Sequence, residues 1–508
     1  MLTAAPTAPL RPHILSILAD DLGWANTGLH TKGSREVQTP SLDALVAKGI
    51  ALERHYAYKL CSPSRSAFQT GRLPVHVNDV NAEPTVRNPN DPFGGYAGIP
   101  VNMTGLGHIM QRGGYRTHFV GKWDVGMATQ RHTPRGRGYQ TFFGYFHHAN
   151  DYWTEGLPIQ ATGTIDVCHN RFVDLWEDDG SRSGPAASSN GTAYEEELFA
   201  NRSLRVIHQH DATAPLFLVH AFHLVHTPLQ VPKAWLDKFA FIDDRIRRSY
   251  AAMTHYLDHV VGRLIDAFRS RGFWDSMLVL FTADNGGPIY FPAGGNNHPL
   301  KGGKYSDWEG GVRVSAFLAG GALPPVVQGT TSEALCHIAD WYATFASLAG
   351  VNATDTEAGA VGLPPIDSVN LWPALVTGGP SAAPARTEIQ LSTDALISGR
   401  LKLIRGKQHY SGWTGQTYPN RTGTQPMPAM AHFGVWDYDC GARGCLFDIF
   451  RDPTEHMDLA AAQPADAVRL GARLDDLNAE HYGPDRGRGD EAACTAAVAY
   501  GGFYGPFC

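Results

Sequence analysis

The order of elements along the sequence predicts an α/β fold, with a large, mainly parallel sheet between helices and a smaller C-terminal α+β domain. Apolar runs of strand length alternate with helical patterns as far as Ala349, and such alternation builds a doubly wound sheet. From Ala353 to Pro384 the composition shifts to Gly, Ala, Pro and Thr, which is typical of a linker. Because 508 residues exceed the usual size of one core, we expect two domains, 1–375 and 376–508.

The sequence of the large domain predicts four strands, three of them apolar runs, and each is followed by polar residues. These strands, with the residues that follow them, are Ile14–Ala19 before Asp20 and Asp21, Arg116–Val120 before Lys122 and Asp124, Leu216–Ala221 before His226, and Met277–Thr282 before Asp284 and Asn285. Ligands of open α/β sheets bind just past the carboxyl ends of the strands. We therefore expect the four oxygen-bearing side chains, Asp20, Asp21, Asp284 and Asn285, to converge on one site.

Helical spacing of apolar residues, or a capped segment, predicts helices between these strands. The predicted helices are Ser41–Lys48, Gly107–Arg112, Glu195–His210, Ser249–Phe268 and Ser332–Ala349. Two stretches read as loops: the aromatic, turn-rich Pro134–Pro185, where we expect substrate-facing loops, and the glycine-rich Gly294–Val314 with Lys304. The small domain is predicted to contain a hairpin at Ala395–Ile404, a strand at Cys445–Ile449 and a terminal helix at Ala465–His481.

The composition and net charge give no support to a nucleic-acid-binding or membrane-spanning protein. A net charge of -7 without a Lys/Arg-rich block gives no support to nucleic-acid binding. No apolar run approaches the length of a membrane span. Residues 1–10 lack the basic start and apolar centre of a signal peptide, so we expect the true N-terminus to lie elsewhere.

Cysteines and glycosylation triplets favour a secretory route, extracellular or lysosomal. With Cys61 set aside, the other six cysteines can make three disulfides or keep free thiols, and the sequence does not fix their pairing. They are Cys168, Cys336, Cys440, Cys445, Cys494 and Cys508. Asn-x-Ser/Thr triplets begin at Asn102, Asn190, Asn201, Asn352 and Asn420.

The segment from Cys61 to Arg72 predicts a short helix aimed at an anion. Ser62 is a good N-cap, Pro63 suits the first helical position and Gly71 suits the C-terminal cap. Cys61 would then lie just before a helix N-terminus, which is a ready anion site, with Arg65 one turn on. The alternative is a buried structural cysteine beside an ordinary capped helix.

Asp20, Asp21, Asp284 and Asn285 make an all-oxygen set, which suits Ca²⁺, or less well Mg²⁺. The alternative for the aspartate pair is a turn with an N-cap. A soft thiol is a poor partner for a hard cation. That contradiction disappears if residue 61 is not a thiol in the mature protein.

The pattern Cys-x-Pro-Ser-Arg at 61–65, followed by Thr-Gly-Arg at 70–72, resembles the signature of the type I sulfatases, in which this cysteine is oxidised to formylglycine. Further blocks in the order of that family are Ile17–Gly23, Gly121–Trp123, Val225–Pro228, Asp284–Gly287 and Trp308–Arg313. Asn296–Lys304 and Leu446–Ile449 are most similar to the arylsulfatase B group, which includes N-acetylgalactosamine-4-sulfatase. The resemblance implies an alkaline-phosphatase-like sandwich with a smaller C-terminal domain.

The resemblance also implies a site and a reaction, the hydrolysis of sulfate esters of small molecules or glycans. Ca²⁺ would be bound by Asp20, Asp21, Asp284, Asn285 and the formylglycine at residue 61, which is made from Cys61 by a formylglycine-generating enzyme. Arg65 would steady the formylglycine hydrate, Lys122 and Lys304 would hold sulfate, and His226 would protonate the leaving alcohol.

One position departs from the family pattern. The family has a histidine after Gly-Lys-Trp, whereas this chain has Asp124, which either takes over as base or impairs the site. This departure motivates one alternative to the sulfatase, an inactive binder of sulfated glycans. A phosphate-ester hydrolase of the same superfamily is a second alternative, although such sites usually hold two metals and this chain shows one oxygen cluster.

Overall fold

The computed structural model describes residues 11–157, 166–290, 292–377, 385–415 and 437–508. Within them, the centre of the fold is one ten-stranded sheet. In spatial order its strands are Thr330–Ser332 (β12), Ile50–Leu52 (β2), Phe317–Ala319 (β11), Met277–Ala283 (β10), His13–Ala19 (β1), Leu216–Ala221 (β9), Arg116–Lys122 (β5), Thr141–Tyr145 (β6), Trp176–Asp178 (β7) and Ser183–Pro185 (β8).

The middle of this sheet is parallel and its margins are mixed. Strands β10, β1, β9, β5 and β6 run parallel to one another. β11 is antiparallel to β10 and β2, and β7 is antiparallel to β6 and β8. Because β1, β9 and β10 are buried along their whole length, they are continuous apolar runs, as strands covered on both faces must be. The predicted mainly parallel sheet is confirmed.

Helices cover the sheet in two groups that contact one another within each group. The first contains Pro40–Val46 (α1), Glu195–Gln209 (α4) and Arg245–Ser270 (α6), and the second contains Cys61–Thr70 (α2), Leu106–Arg112 (α3) and Asp340–Ala349 (α8). Shorter helices are Lys233–Leu236 (α5), Glu309–Val312 (α7), Thr356–Ala360 (α9) and Trp372–Val376 (α10). The longest helix starts four residues before its predicted start, because the Asp244 carboxylate caps it by accepting from the Arg247 N–H.

Three sequence predictions need correction. The stretch Pro134–Pro185, predicted to be irregular, contributes β6, β7 and β8 to the large sheet. The predicted helix from Ser332 is helical only over Asp340–Ala349, because β12 and the short strand Cys336–His337 (β13) come first. The composition shift after Ala353 marks no free linker in its described part, because Ala358 and Leu375 are buried in the main core.

The C-terminal part contains a four-stranded antiparallel sheet of Glu388–Gln390 (β14), Ala395–Ser398 (β15), Leu401–Ile404 (β16) and Cys445–Asp448 (β19). The predicted hairpin is therefore present. One face of this sheet packs on the helix Pro464–Asn478 (α11) through Leu470 and Leu474. The other face packs on Trp308, within the glycine-rich stretch that carries Lys304.

The predicted terminal helix is not the last element, because the chain returns to the N-terminal part of the fold after it. Arg488–Gly489 (β20) pairs with Val86–Arg87 (β4), and the helix Ala492–Ala499 (α12) carries Cys494, which is bonded to Cys168. The remaining short pairs are His55–Tyr56 (β3) with β13, and Lys407–Gln408 (β17) with Tyr438–Asp439 (β18). The domain boundary at residue 375 stays a prediction.

Two of the three disulfides that the cysteine count allows are formed among the described residues, Cys168–Cys494 and Cys440–Cys445. Cys61 and Cys336 are buried free thiols there, and Cys508 is an exposed one. The triplet at Asn420 and residues 1–10 lie outside the described residues. In the part of the chain that the structure describes, no helix combines the length and the apolar character needed to cross a bilayer.

Candidate active site

The carboxyl ends of β1 and β10 bring the predicted metal ligands together. These strands are parallel neighbours with Ala19 opposite Ala283, so the residues that follow them lie side by side. The Asp21 N–H donates to Asp284 Oδ1 at 3.3 Å, and Asn285 Nδ2 donates to Asp21 Oδ1 at 2.7 Å. Asp20, Asp21, Asp284 and Asn285 are all buried, so four oxygen-bearing side chains share one enclosed place.

Cys61 reaches this cluster from the start of α2. Its Sγ lies 3.6 Å from Asp20 Oδ1, 3.9 Å from Asp21 Oδ1 and 3.3 Å from Lys304 Nζ. Burial raises the pKa of the Cys61 thiol well above its usual value, although Lys122 and Lys304 act in the opposite direction. The thiol is therefore neutral, and a neutral sulfur offers little to a hard cation.

The capping predicted for this helix is partly wrong. Cys61 is the first helical residue and Leu60 occupies the N-cap position without a side-chain hydrogen bond. The hydroxyl of Ser62 caps nothing, because it donates to Asp124 Oδ1 at 2.8 Å. Gly71 closes the helix as predicted, with a φ of 69° and its N–H bonded to the Ala67 carbonyl.

Three fixed cations surround the acids. Lys122 Nζ lies 2.6 Å from Asp20 Oδ2, and Lys304 Nζ lies 2.8 Å from Asp21 Oδ1. Arg65 contacts Asp284 Oδ2 at 2.7 Å and donates to the Lys122 carbonyl at 2.9 Å. All three side chains are buried, so each charge depends on its carboxylate partner.

Burial and neighbouring charges set the protonation of the two aspartates after β1. Burial and the nearby Asp284 raise the pKa of Asp20 to about 8. Burial acts in the same direction on Asp21, but Lys304 and His226 outweigh it and hold the pKa of Asp21 below its usual value. Asp20 therefore binds a proton more readily than Asp21.

His226 contacts both Lys304 and Asp21 through one ring nitrogen. Its Nε2 is 3.2 Å from Lys304 Nζ and 3.4 Å from Asp21 Oδ2, while its Nδ1 donates to the Thr227 carbonyl at 2.6 Å. That carbonyl can only accept, so the proton of the neutral ring lies on Nδ1 and Nε2 faces the site. Burial and Lys304 lower the pKa of His226 well below its usual value.

Asp124 is not an isolated carboxylate, because His148 pairs with it. His148 Nδ1 lies 2.8 Å from Asp124 Oδ1, and Lys122 Nζ lies 3.7 Å from Asp124 Oδ2. Burial alone would raise the pKa of Asp124, but His148 and Lys122 outweigh it and lower that pKa to about 2. Burial disfavours a charged His148, yet Asp124 and Glu83 raise its pKa above the usual value. The two side chains form a buried ion pair.

Sequence reasoning missed His148, although one signal was available. His148 follows β6 by three residues and so lies past the carboxyl end of a parallel strand, like the other residues of the site. The prediction of an irregular stretch over Pro134–Pro185 hid that strand. The remaining predicted residues, Cys61, Arg65, Lys122, Asp124, His226 and Lys304, all lie within one connected set of contacts.

This set combines an oxygen-rich site that can hold a metal ion with three fixed cations and a histidine. The ligand atoms of Asp20, Asp21, Cys61 and His226 all lie within 4.8 Å of one another. Such a site at the carboxyl ends of a parallel sheet suits an enzyme that binds an anionic substrate beside a metal ion. The sulfatase family model matches residues 12–351, so this chain belongs to the sulfatase family and is a sulfuric ester hydrolase.

Relatives match over most of the chain. Arylsulfatase J of Mus musculus is 32% identical, over 92% of this chain and 76% of its own length. N-acetylgalactosamine-6-sulfatase of Homo sapiens is 30% identical, over 90% of this chain and 83% of its own length. The finer resemblance to the arylsulfatase B group stays a prediction.

Solved structures at lower identity share the fold. The PsFucS1 sulfatase from Pseudoalteromonas sp. is 21% identical, with a TM-score of 0.72 over 93% of this chain and 92% of its own. The phosphonate monoester hydrolase of Agrobacterium radiobacter is 20% identical, with a TM-score of 0.56 over 93% of this chain and 96% of its own. Since both identities are low, these two matches bear on the fold alone.

Proposed function

We propose that this chain hydrolyses sulfate esters of ring-bearing alcohols with a formylglycine at residue 61 and one Ca²⁺ ion. The observation that carries the proposal is the position of Cys61. Its Sγ lies within 4 Å of two aspartate oxygens and beside Lys304. A buried, neutral thiol in that position is a poor ligand for a hard cation and a poor nucleophile towards a bound sulfate ester. The hydroxyl groups of a formylglycine hydrate can coordinate the cation and attack the ester.

The residues present fit a hard cation. Asn285 Oδ1 is buried and has no hydrogen-bond partner among the described residues, which is costly unless a ligand satisfies it. Asp20, Asp21 and Asp284 supply carboxylate oxygens beside it. We assign the ion to these four side chains and to residue 61, and prefer Ca²⁺ because it accepts irregular oxygen sets.

The formylglycine hydrate would supply the hydroxyl that attacks sulfur, and the cation would stabilise negative charge. Arg65 lies between Asp284 and the Lys122 carbonyl, which fixes its guanidinium beside residue 61. Lys122 and Lys304 would bind the sulfate oxygens once a cation takes over the negative charge of the aspartates, whose oxygens now lie 2.6–2.9 Å from the two ammonium groups. The fold already holds both ammonium groups in the site, so they are preorganised to stabilise an anionic ester.

His226 carries the proton to the leaving alcohol. Its Nδ1 proton is committed to the Thr227 carbonyl, so Nε2 is the atom that exchanges a proton in the site. Lys304 disfavours a charged ring, but the negative charge of a bound sulfate ester opposes that effect and favours protonation. A histidine that gains its proton only when the ester is bound suits a general acid.

Asp124 and His148 together take the place of the family histidine. Because they form an ion pair, they add no net charge near the sulfate. Asp124 is a poor base, since its pKa of about 2 leaves little affinity for a proton. The hydroxyl of Ser62, next to residue 61, is bonded to the same carboxylate. The pair therefore helps to position residue 61 and does not transfer a proton.

Maturation requires a formylglycine-generating enzyme, and the two disulfides together with the Asn-x-Ser/Thr triplets favour the secretory pathway.

The direct test compares turnover of 4-nitrophenyl sulfate with that of 4-nitrophenyl phosphate in calcium-loaded protein. We expect sulfate turnover to exceed phosphate turnover. Preferred phosphate turnover would favour the phosphatase alternative. Sulfate binding without turnover, in protein that carries formylglycine, would favour the glycan-binding alternative.

A further inference from the structure

Tyr290, Tyr305 and Tyr410 form a cluster at the edge of the active site. The ring centroids of Tyr290 and Tyr410 are 4.9 Å apart, those of Tyr290 and Tyr305 are 5.8 Å apart, and those of Tyr305 and Tyr410 are 6.3 Å apart. These distances put all three rings in mutual aromatic contact. We call them the tyrosine cluster.

The tyrosine cluster lies beside the residues that act on the leaving alcohol. Lys304 Nζ is 5.8 Å from the ring centroid of Tyr305 and 3.2 Å from His226 Nε2. Cys61 is fully buried, Lys304 is 2% exposed and Tyr410 is 3% exposed, whereas Tyr290 and Tyr305 are partly exposed. The rings of Tyr290 and Tyr305 therefore lie nearer to solvent than the reacting groups, and the buried ring of Tyr410 packs against both of them.

The backbone of two cluster members is held in an unusual conformation. Tyr305 has a φ of 75° and Tyr410 a φ of 50°, in the left-handed region that costs free energy for an aromatic residue. Such conformations persist where surrounding contacts fix them. Here the Tyr305 N–H donates to the Lys59 carbonyl, and the Gly302 N–H donates to the Gly412 carbonyl, which joins the two loops.

We propose that the tyrosine cluster is the subsite for the ring of the sulfated alcohol. It would take the flat, apolar face of a six-membered ring, aryl or pyranose, while Lys122 and Lys304 hold the sulfate group. Aromatic side chains pack well on such faces, and uncharged phenols do not compete with the cations for the anion. This inference rests on the proposed function, because it assumes that the sulfate end binds at Lys304.

The test separates the ring end of the ligand from its anionic end. Tyr305→Asn and Tyr410→Asn remove one ring each and keep a residue that tolerates the left-handed backbone. Tyr305→Phe keeps the ring face, and Tyr438→Asn is the matched control, because Tyr438 is an exposed ring on β18. The probes are 4-nitrophenyl sulfate, a monosaccharide 6-sulfate, and inorganic sulfate as a competitive inhibitor.

We expect the KM of at least one ester to rise about tenfold in both Asn variants, while the Ki of inorganic sulfate changes by less than about twofold. Tyr305→Phe and Tyr438→Asn should behave like the parent. A rise for 4-nitrophenyl sulfate alone would identify an aryl subsite, and a rise for the sugar alone would identify a carbohydrate subsite. Either outcome supports the inference.

Two outcomes overturn it. An unchanged KM for both esters would mean that the rings do not contact the alcohol. An equal rise in the Ki of inorganic sulfate would mean that the tyrosines only support the anion site. If the parent binds esters without turnover, the proposed function fails on its own, and calorimetric Kd values for ester and for inorganic sulfate still test the subsite.

Discussion

Loss of the charge on His148 should weaken sulfate binding through Asp124. In His148→Gln the Asp124 carboxylate keeps Ser62 and a Lys122 ammonium 3.7 Å away, but loses its ion-pair partner at 2.8 Å. A sulfate held by Lys122 would lie about 7 Å from that carboxylate. At that distance each of the two negative charges of the sulfate ion is repelled by roughly 2 kcal/mol at an effective dielectric near 20. We therefore expect the Kd of inorganic sulfate to rise about tenfold, since the bound cation offsets part of this repulsion.

The assay is calorimetric sulfate binding to calcium-loaded protein in a double-mutant cycle with Asp124→Asn. Asp124→Asn should not weaken binding, because it removes negative charge, and the double variant should resemble Asp124→Asn. His147→Gln is the matched control, because this neighbouring buried histidine has its own partner, Asp174 at 2.7 Å. Equal loss in His148→Gln and in the double variant would refute the reasoning, because the effect would then not pass through Asp124.

The ion pair of Asp124 and His148 predicts how sulfate binding changes with pH. The pKa of His148 is raised in the folded protein, so the ion pair is intact below the ordinary histidine pKa and is lost as pH rises through the raised value. The pKa of Asp124 is lowered to about 2, so the carboxylate keeps its charge down to that pH. Sulfate binding by the parent should approach that of His148→Gln as pH rises, whereas Asp124→Asn should show no such loss.

Two further predictions concern residue 61 and the cation. Peptide mass spectrometry of active protein should find an aldehyde in place of the thiol at residue 61. Cys61→Ser should stop after one turnover, because a serine sulfate ester has no second hydroxyl to expel the sulfate. Full activity with an unmodified thiol would reject the mechanism. Asn285→Ala should raise the calorimetric Kd of Ca²⁺ by about tenfold or more in folded protein, because the amide oxygen has no other partner within the described part of the chain. Retained affinity would remove Asn285 from the ligand set.

The parallel core of the fold was predictable because its strands are buried on both faces. Such strands are continuous apolar runs, and the residues past their ends were found by position alone, as with Asp20 after β1 and Asp284 after β10. Of the strands in Pro134–Pro185, β7 and β8 were not predicted because they are three residues long and lie at the sheet margin. Short marginal strands carry too little apolar pattern to differ from turns.

The contacts made by single side chains were harder to predict. Ser62 has the residue type of an N-cap, but Asp124 binds its hydroxyl instead. Asp124 and His148 are 24 residues apart in sequence and meet only because β5 and β6 are parallel neighbours. Local propensity contains no information on such tertiary partners, so the sequence could flag Asp124 as unusual without showing how its charge is balanced.

The buried charges explain why cation and anion binding should depend on each other. Each lysine of the site now rests on an aspartate, Lys122 on Asp20 and Lys304 on Asp21, and an ammonium group shared with a carboxylate attracts an anion only weakly. A divalent cation among the oxygens would take over that negative charge and leave both lysines to the sulfate. Since such coupling is reciprocal, a bound sulfate would also strengthen cation binding. The acids are therefore part of the anion site, although none of them needs to touch the anion.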